Sequence, residues 1–318
     1  MNQHNLAPIA LFVYKRPVHT QKVIDSLIQN NEAKDSILYV FADGAKNEND
    51  KIELENISSV KQIINSYKNN FQKIIIIERN SNCGLANSII DGISLVLKDF
   101  QKIIVLEDDI IVSKVFLKYM NTSLLNYDNN HEVATIQGFQ FPINFNKKVN
   151  SYFDYAVGCW GWATWKNRWD YFEPDGQKLW DIINESKQWK KFDINNTYPF
   201  KELLENQIKI KNDSWAIRWY ASLFIKNMIN LYPTKSLTIN IGNDGSGNHK
   251  DKNDTSKYPI TDEINADKIE IKLSNKEIRK VFIYRKNLLF KKKIKNLIIR
   301  FKVNVLYKIL NEEYYNKL

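Results

Sequence analysis

Residues 103–109 read Ile-Ile-Val-Leu-Glu-Asp-Asp, an unbroken apolar run that stops in three consecutive carboxylates. Four apolar residues in a row suit a strand covered on both faces, as in a parallel sheet with helices above and below. Acids at the carboxyl end of such a strand sit where open α/β sheets place their ligands. Adjacent like charges raise one another's energy unless positive charge lies among them. A hard divalent cation shared with a phosphate-bearing ligand meets that need, because Mg2+ or Mn2+ takes one or two carboxylates plus phosphate oxygens. A solvated acidic turn is the plainer alternative.

The sequence before this run alternates strand and helix. Strands are expected at 8–14, 37–42, 73–78, 102–106 and 132–137. Helices are expected at 20–29, 53–67, 85–97 and 115–127, each from apolar residues at 3–4 spacing, such as Leu54, Ile57, Val60, Ile63 and Ile64. Repeated β-α-β units with short connections predict an α/β fold with a mostly parallel, doubly wound sheet. A helix is also expected from Ser214 to Met228, capped by Asp213 or Ser214, with short strands at 230–232 and 237–241. The texture suggests three regions: 1–142, with alternating strand and helix; 143–262, rich in tryptophan; and 263–318, a basic amphipathic tail.

Charge separates the tail from the body. Residues 276–318 carry 13 Lys or Arg against 3 acids, which leaves 33 basic and 33 acidic residues in 1–275. A neutral body disfavours nucleic acid as a partner. In the tail, Phe290, Ile294, Leu297, Phe301 and Val305 follow helical spacing among Lys291, Lys292, Lys293, Lys295, Arg300 and Lys302. A basic amphipathic helix of this kind suits an anionic membrane surface, and a helix packed on the body with a solvated basic face is the alternative. Two cysteines give no disulfide framework and favour a reducing compartment. Leu6–Tyr14, broken by Pro8 and stopped by Lys15-Arg16, is too short for a membrane span and reads as the first strand. The expected location is cytoplasmic, peripheral on the inner face of the cell membrane.

Four groups stand out as chemistry-bearing. Glu107, Asp108 and Asp109 are the metal and phosphate candidates. Asp43 ends the second strand, and in a parallel sheet it lies on the same carboxyl edge; it is also a natural turn residue before Gly44. Asp213, beside Trp215, is either a helix cap or a general base for an acceptor hydroxyl. His249 follows the glycine-rich loop 242–248 and is either a surface residue or a group that completes a metal or phosphate site. The dense Trp run at 158–165, with Trp160 and Trp162, and the separate Trp215 offer faces for sugar stacking as well as core packing. P-loop, dinucleotide-binding and nucleophile-elbow motifs are absent.

With these residues in order, the chain resembles GT-A fold glycosyltransferases. The segments are 8–17 (PIALFVYKRP), 41–44 (FADG), 80–86 (NSNCGLA), 105–109 (VLEDD) and 213–215 (DSW), and they are similar to the N-acetylglucosaminyltransferase I group and related bacterial family-2-like sugar transferases. The resemblance implies a metal-dependent inverting enzyme that moves a hexosyl or N-acetylhexosaminyl group from a nucleotide sugar. UDP is implied ahead of other nucleotides, and the acceptor would be a cell-surface glycan or lipid-linked precursor in polysaccharide biosynthesis. It implies Mn2+ or Mg2+ on Asp109, ribose on Asp108, donor sugar at Glu107, the nucleotide base at Asp43, and Arg16 near the nucleotide. It also implies Asp213 as the base, with 1–142 as a nucleotide-sugar-binding half and 143–262 as an acceptor-binding, catalytic half. The segment 212–215, Asn-Asp-Ser-Trp, departs from the group's Asp-Asp-Trp-like context. A sugar-nucleotide pyrophosphorylase and a non-catalytic, membrane-associated carbohydrate-binding protein are the alternatives. The first should carry a glycine-rich loop after its first strand, and Tyr14-Lys15-Arg16-Pro17 has no glycine.

Overall fold

The computed structural model describes residues 6–145, 149–245, 259–267, 269, 271, 279–291 and 294. The chain opens with four strands, β1 (Ile9–Val13), β2 (Ile37–Ala42), β3 (Lys73–Glu78) and β4 (Lys102–Glu107), separated by α1 (Pro17–Leu27), α2 (Lys51–Ser66) and α3 (Leu85–Asp99). They pair in parallel in the order β3-β2-β1-β4, the direction that α-helical crossovers enforce. This part matches the expected doubly wound sheet. Alternate residues of each strand face opposite layers. Ile9, Leu11, Leu38, Val40, Ile104 and Leu106 pack with Val23, Ile24 and Leu27 of α1 and with Val60 and Ile64 of α2. Ala10, Phe12, Phe41, Ile103 and Val105 pack with Ile89, Ile93 and Val96 of α3. Burial of each large apolar side chain contributes about 1.5–3 kcal/mol, so truncating fully buried Leu27 costs about 2–5 kcal/mol. Gly92 lets α3 lie directly on the stacked Phe12 and Phe41 rings, since a Cβ there would meet Phe12 at 2.6 Å.

Beyond β4 the sheet continues but turns mixed. The chain makes β5 (Ile110–Val112), α4 (Phe116–Asn126), β6 (Val133–Gln137), β7 (Ser151–Asp154) and β8 (Trp162–Trp165). Helices α5 (Lys166–Trp169), α6 (Gly176–Glu185), α7 (Trp189–Phe192), α8 (Phe200–Ile208) and α9 (Trp215–Ile225) follow, then β9 (Ile229–Pro233) and β10 (Thr238–Asn240). Strand β8 inserts antiparallel between β4 and β6, β9 runs parallel to β6, and β7 closes the edge antiparallel to β9. The result is one eight-stranded sheet, with β5 and β10 paired antiparallel beside it. Helix α9 lies with α3 on one face, where Trp215, Trp219 and Leu223 share a core with Val105 and Ile89.

Residues 279–291 form a further helix, α10. Its Arg285 makes a buried two-pronged ion pair with Asp154 at the end of β7, at 2.9 and 2.7 Å. Among the described residues no helix is long and apolar enough to cross a membrane. Most of the expected amphipathic tail, and His249, lie outside the described residues.

Candidate active site at the carboxyl edge

The side chains of β4 alternate until the strand ends, and the acids inherit that alternation. Glu107 pairs with Phe12 in register and continues the α3-facing series of Ile103 and Val105. Asp108, one residue on, meets Arg16 at the start of α1. Arg16 Nε donates to Asp108 Oδ2 at 3.2 Å, and Nη2 donates both to Asp108 Oδ1 and, at 3.0 Å, to Asp109 Oδ2. Pro17 at the first position of α1 fixes the turn that presents this arginine. Burial opposes the charge on Arg16, and the two carboxylates more than offset it, so its pKa rises. Burial raises the Asp108 carboxyl, against the lowering effect of Arg16. Glu107 is raised well above the usual range by burial and then by Asp109 and Asp108. Among the described residues no side-chain hydrogen bond or ion pair holds the Glu107 carboxyl.

The turn carrying Arg16 is itself braced. Glu53 near the start of α2 accepts from Tyr14 Oη, from Lys15 Nζ at 2.8 Å and from the Asn47 backbone N–H at 3.1 Å. On the other side, the chain leaving β10 closes over Asp109. Ile241 N donates to the Asp109 carbonyl at 2.9 Å, and a Cβ on Gly242 would come within 2.1 Å of Asp109 Oδ2 and 3.0 Å of Arg16 Nη1. His19 of α1 pairs with Asp244 at 3.1 Å.

Among the described residues Asp109 Oδ1 is buried without a partner. That orphaned oxygen, next to a carboxyl at Glu107 with no paired cation, fits a hard divalent ion that would take its other ligands from outside the chain. Among the described residues no three His, Cys, Asp or Glu side chains gather into a self-sufficient metal cluster.

Asp43 does reach the same edge, and its carboxylate works locally. Oδ1 accepts from Gly44 N at 3.0 Å and Cys83 N at 2.9 Å, and Oδ2 accepts from Gly84 N at 3.2 Å. It therefore ties the end of β2 to the start of α3, where Gly84 has the positive φ of 78° that its turn requires.

The tryptophans require a correction. Trp162 is 0% exposed and Trp215 is 4% exposed, and their rings stack on each other at 5.4 Å between Trp169, Trp219 and α3. Neither ring has a free face for a sugar; they are the joint between β8 and α9. Trp160 differs, being half-buried with an edge contact to Phe139 at 4.5 Å. Next to it the Cys159 thiol is pushed up by burial, then by the charges of Glu107 and Asp109.

Ser214, not Asp213, caps α9, accepting from Ile217 N. Asp213 is left 65% exposed, held through Oδ1 by Arg218 Nη2 at 2.9 Å. Arg218 is in turn seated on the Ser214 and Pro174 carbonyls at 3.3 Å. Trp215 stacks on Trp162, which opens β8 opposite Val105, so the start of α9 lies at the carboxyl end of β4 on the face that Glu107 shares. Sequence reasoning did not single out Arg218 or Cys159, and it met Gly242 only as the first residue of a glycine-rich loop. Arg218 had a signal, a cation one turn beyond an expected cap; Cys159 had none outside the folded chain.

No family model and no curated protein matches the chain. Solved structures similar to it include a mannosyltransferase from Pyrobaculum calidifontis in complex with GDP-Man and Mn2+, at 10% identity and a TM-score of 0.36, covering 50% of this chain and 44% of that one. TarS from S. aureus gives 11% identity and a TM-score of 0.38, covering 73% and 36%. The galactosyltransferase LgtC with donor and acceptor sugar analogs gives 11% and 0.36, covering 68% and 70%. The chain thus spans less than half the length of the first two. Likeness at this level assigns no activity.

Proposed function

We propose that the chain is a metal-dependent, inverting glycosyltransferase that uses a nucleotide sugar. The observation that carries this reading is the carboxyl edge of β4. A buried acid with one unpartnered oxygen, Asp109, stands there beside Glu107, and an exposed carboxylate, Asp213, is held at the start of α9 on the face Glu107 shares. The motif order in the sequence supports the same reading.

In this reading Asp109 would hold Mn2+ or Mg2+ together with the donor. A cation bound there would supply positive charge to offset that on the leaving diphosphate. Glu107 receives the donor sugar, Asp108 the ribose, and Asp43 the edge of the base, with Arg16 holding the acids in place. Asp213 Oδ2, not engaged by Arg218, takes the proton of the acceptor hydroxyl as that oxygen bonds to the anomeric carbon. The bond from that carbon to the diphosphate oxygen breaks on the opposite side, which inverts the centre. Trp160 supplies the remaining aromatic wall. The donor is a UDP-sugar carrying a hexosyl or N-acetylhexosaminyl group, and the acceptor is a glycan or lipid-linked precursor. A pyrophosphorylase is less well served, because the turn after β1 commits its arginine to Asp108 and Asp109 instead of to an open phosphate loop.

Thermal protection by a panel of nucleotide sugars, with and without Mn2+, tests the proposal. Protection that needs Mn2+ and disappears in Asp109→Ala is expected. Metal-dependent protection that survives in that variant would overturn the assignment of the acidic triplet.

A further inference from the structure

Helix α10 has two apolar sides, and among the described residues one of them packs on the fold. The inner side docks through Val281, which packs with Tyr152 and Tyr232, and through Arg285, whose pair with Asp154 is nine-tenths buried. Lys280 adds a bond to the Asn144 carbonyl at 2.7 Å. The outer side exposes Phe282 (36%), Ile283 (45%) and Phe290 (63%), and Ile294 (42%) continues the line. Positions 283, 290 and 294 fall on one helical stripe, and exposed Arg279, Lys286 and Lys291 flank it. No acid occurs between 279 and 311, and the chain continues Lys292, Lys293 and Lys295.

We propose that this outer face is a docking surface for an anionic phospholipid membrane. Burial against the body does not account for the apolar stripe, and a soluble polyanion has no use for exposed phenylalanines. Two copies of α10 face to face would bring like charges together without an acid to pair them. Apolar side chains inserted among acyl chains, with lysine and arginine at the headgroups, satisfy both halves of the pattern. The helix of 13 residues spans about 20 Å, and it lies flat instead of crossing. Because Arg285 ties α10 to Asp154, and the chain runs on from there to Trp162, which pairs with Val105 near the end of β4, docking orients the carboxyl edge relative to the membrane. The inference stands independently of the transferase reading.

Co-sedimentation of the full chain with phosphatidylcholine vesicles, with and without phosphatidylserine, is the test. Binding to the anionic vesicles only is expected. It should fall about tenfold or more in Lys286→Glu/Lys291→Glu and in Phe282→Ser/Ile283→Ser/Phe290→Ser, with the thermal midpoint unchanged. All five residues are exposed, so these variants should fold. Parent-like binding by both variants, or no binding by the parent chain, would overturn the proposal. So would a dimer in size-exclusion chromatography that only the apolar variant dissociates.

Discussion

Arg218 holds Asp213 by one carboxylate oxygen and leaves the other to solvent. The guanidinium is fixed from behind by two backbone carbonyls, so the carboxylate has a defined direction although it is mostly exposed. In the proposed reaction, Asp213→Asn should lower turnover by about 10^2- to 10^4-fold. Thermal stability and nucleotide-sugar protection should stay within about 0.5 kcal/mol of the parent, because the side chain is on the surface. Arg218→Met should lower turnover as well, and add little in the Asp213→Asn background, as expected of two residues acting as one unit. Steady-state kinetics on the four proteins would read this. Near-full transfer by folded Asp213→Asn would remove Asp213 as the base.

Arg16 is the charge that makes the acidic triplet tolerable in the folded chain. Replacing it with Met leaves Asp108 and Asp109 facing each other in a largely buried place, at a cost of about 3 kcal/mol. Excess Mn2+ should recover part of this loss, since a cation then replaces the guanidinium. Urea unfolding of Arg16→Met with and without Mn2+ measures both effects. Equal curves would show that the two cations do not share a place.

Gly242 lies where any side chain would strike Asp109. Gly242→Ala must push the segment after β10 off the acids or shift the carboxylate away from Arg16, a strain of about 1–3 kcal/mol. The expected outcome is Mn2+-dependent nucleotide-sugar affinity about tenfold weaker, read by calorimetric titration. Unchanged affinity would mean that this segment does not shape the site.

Acid should loosen the brace under Arg16. Hydrogen bonds from Lys15 and then Tyr14 lower Glu53 from an ordinary 4.5 to about 2 in the folded chain. A depressed carboxyl contributes stability that is fully present above the unfolded value. That contribution is lost as pH falls through the folded one. Glu53→Gln should therefore show a flatter dependence of stability on pH between 4.5 and 2 than the parent. Unfolding midpoints across that range provide the measurement, and identical slopes would contradict it.

The parallel half of the fold was legible because each part is local. Ile103–Leu106 is a buried strand by its own composition, and α2 shows its inner stripe as Ile57, Val60 and Ile64. Strand β8 was not legible. Its Trp162-Ala-Thr-Trp165 segment is buried on both faces between strands that lie about 25 or more residues earlier in the chain, and nothing nearby in sequence distinguishes such a tryptophan from one lining a cleft. Helices α5 and α7, four residues each, are too short to show a period. At the site, placing the acids and Asp43 on one edge needed only the strand ends. The pairing of Arg16 with Asp108 joins residues 92 positions apart, and sequence spacing carries no trace of it.

The antiparallel bond of β8 to β4 has one more consequence. A fragment ending at residue 142 would lose β8 and β9, the two strands that pair with β6, and would bare the flank of Ile103–Val105. An apolar strand with unsatisfied backbone groups is a template for the next molecule. The two halves suggested by the sequence texture are therefore obliged to fold as one, and separating them would produce a self-associating fragment instead of a nucleotide-binding module.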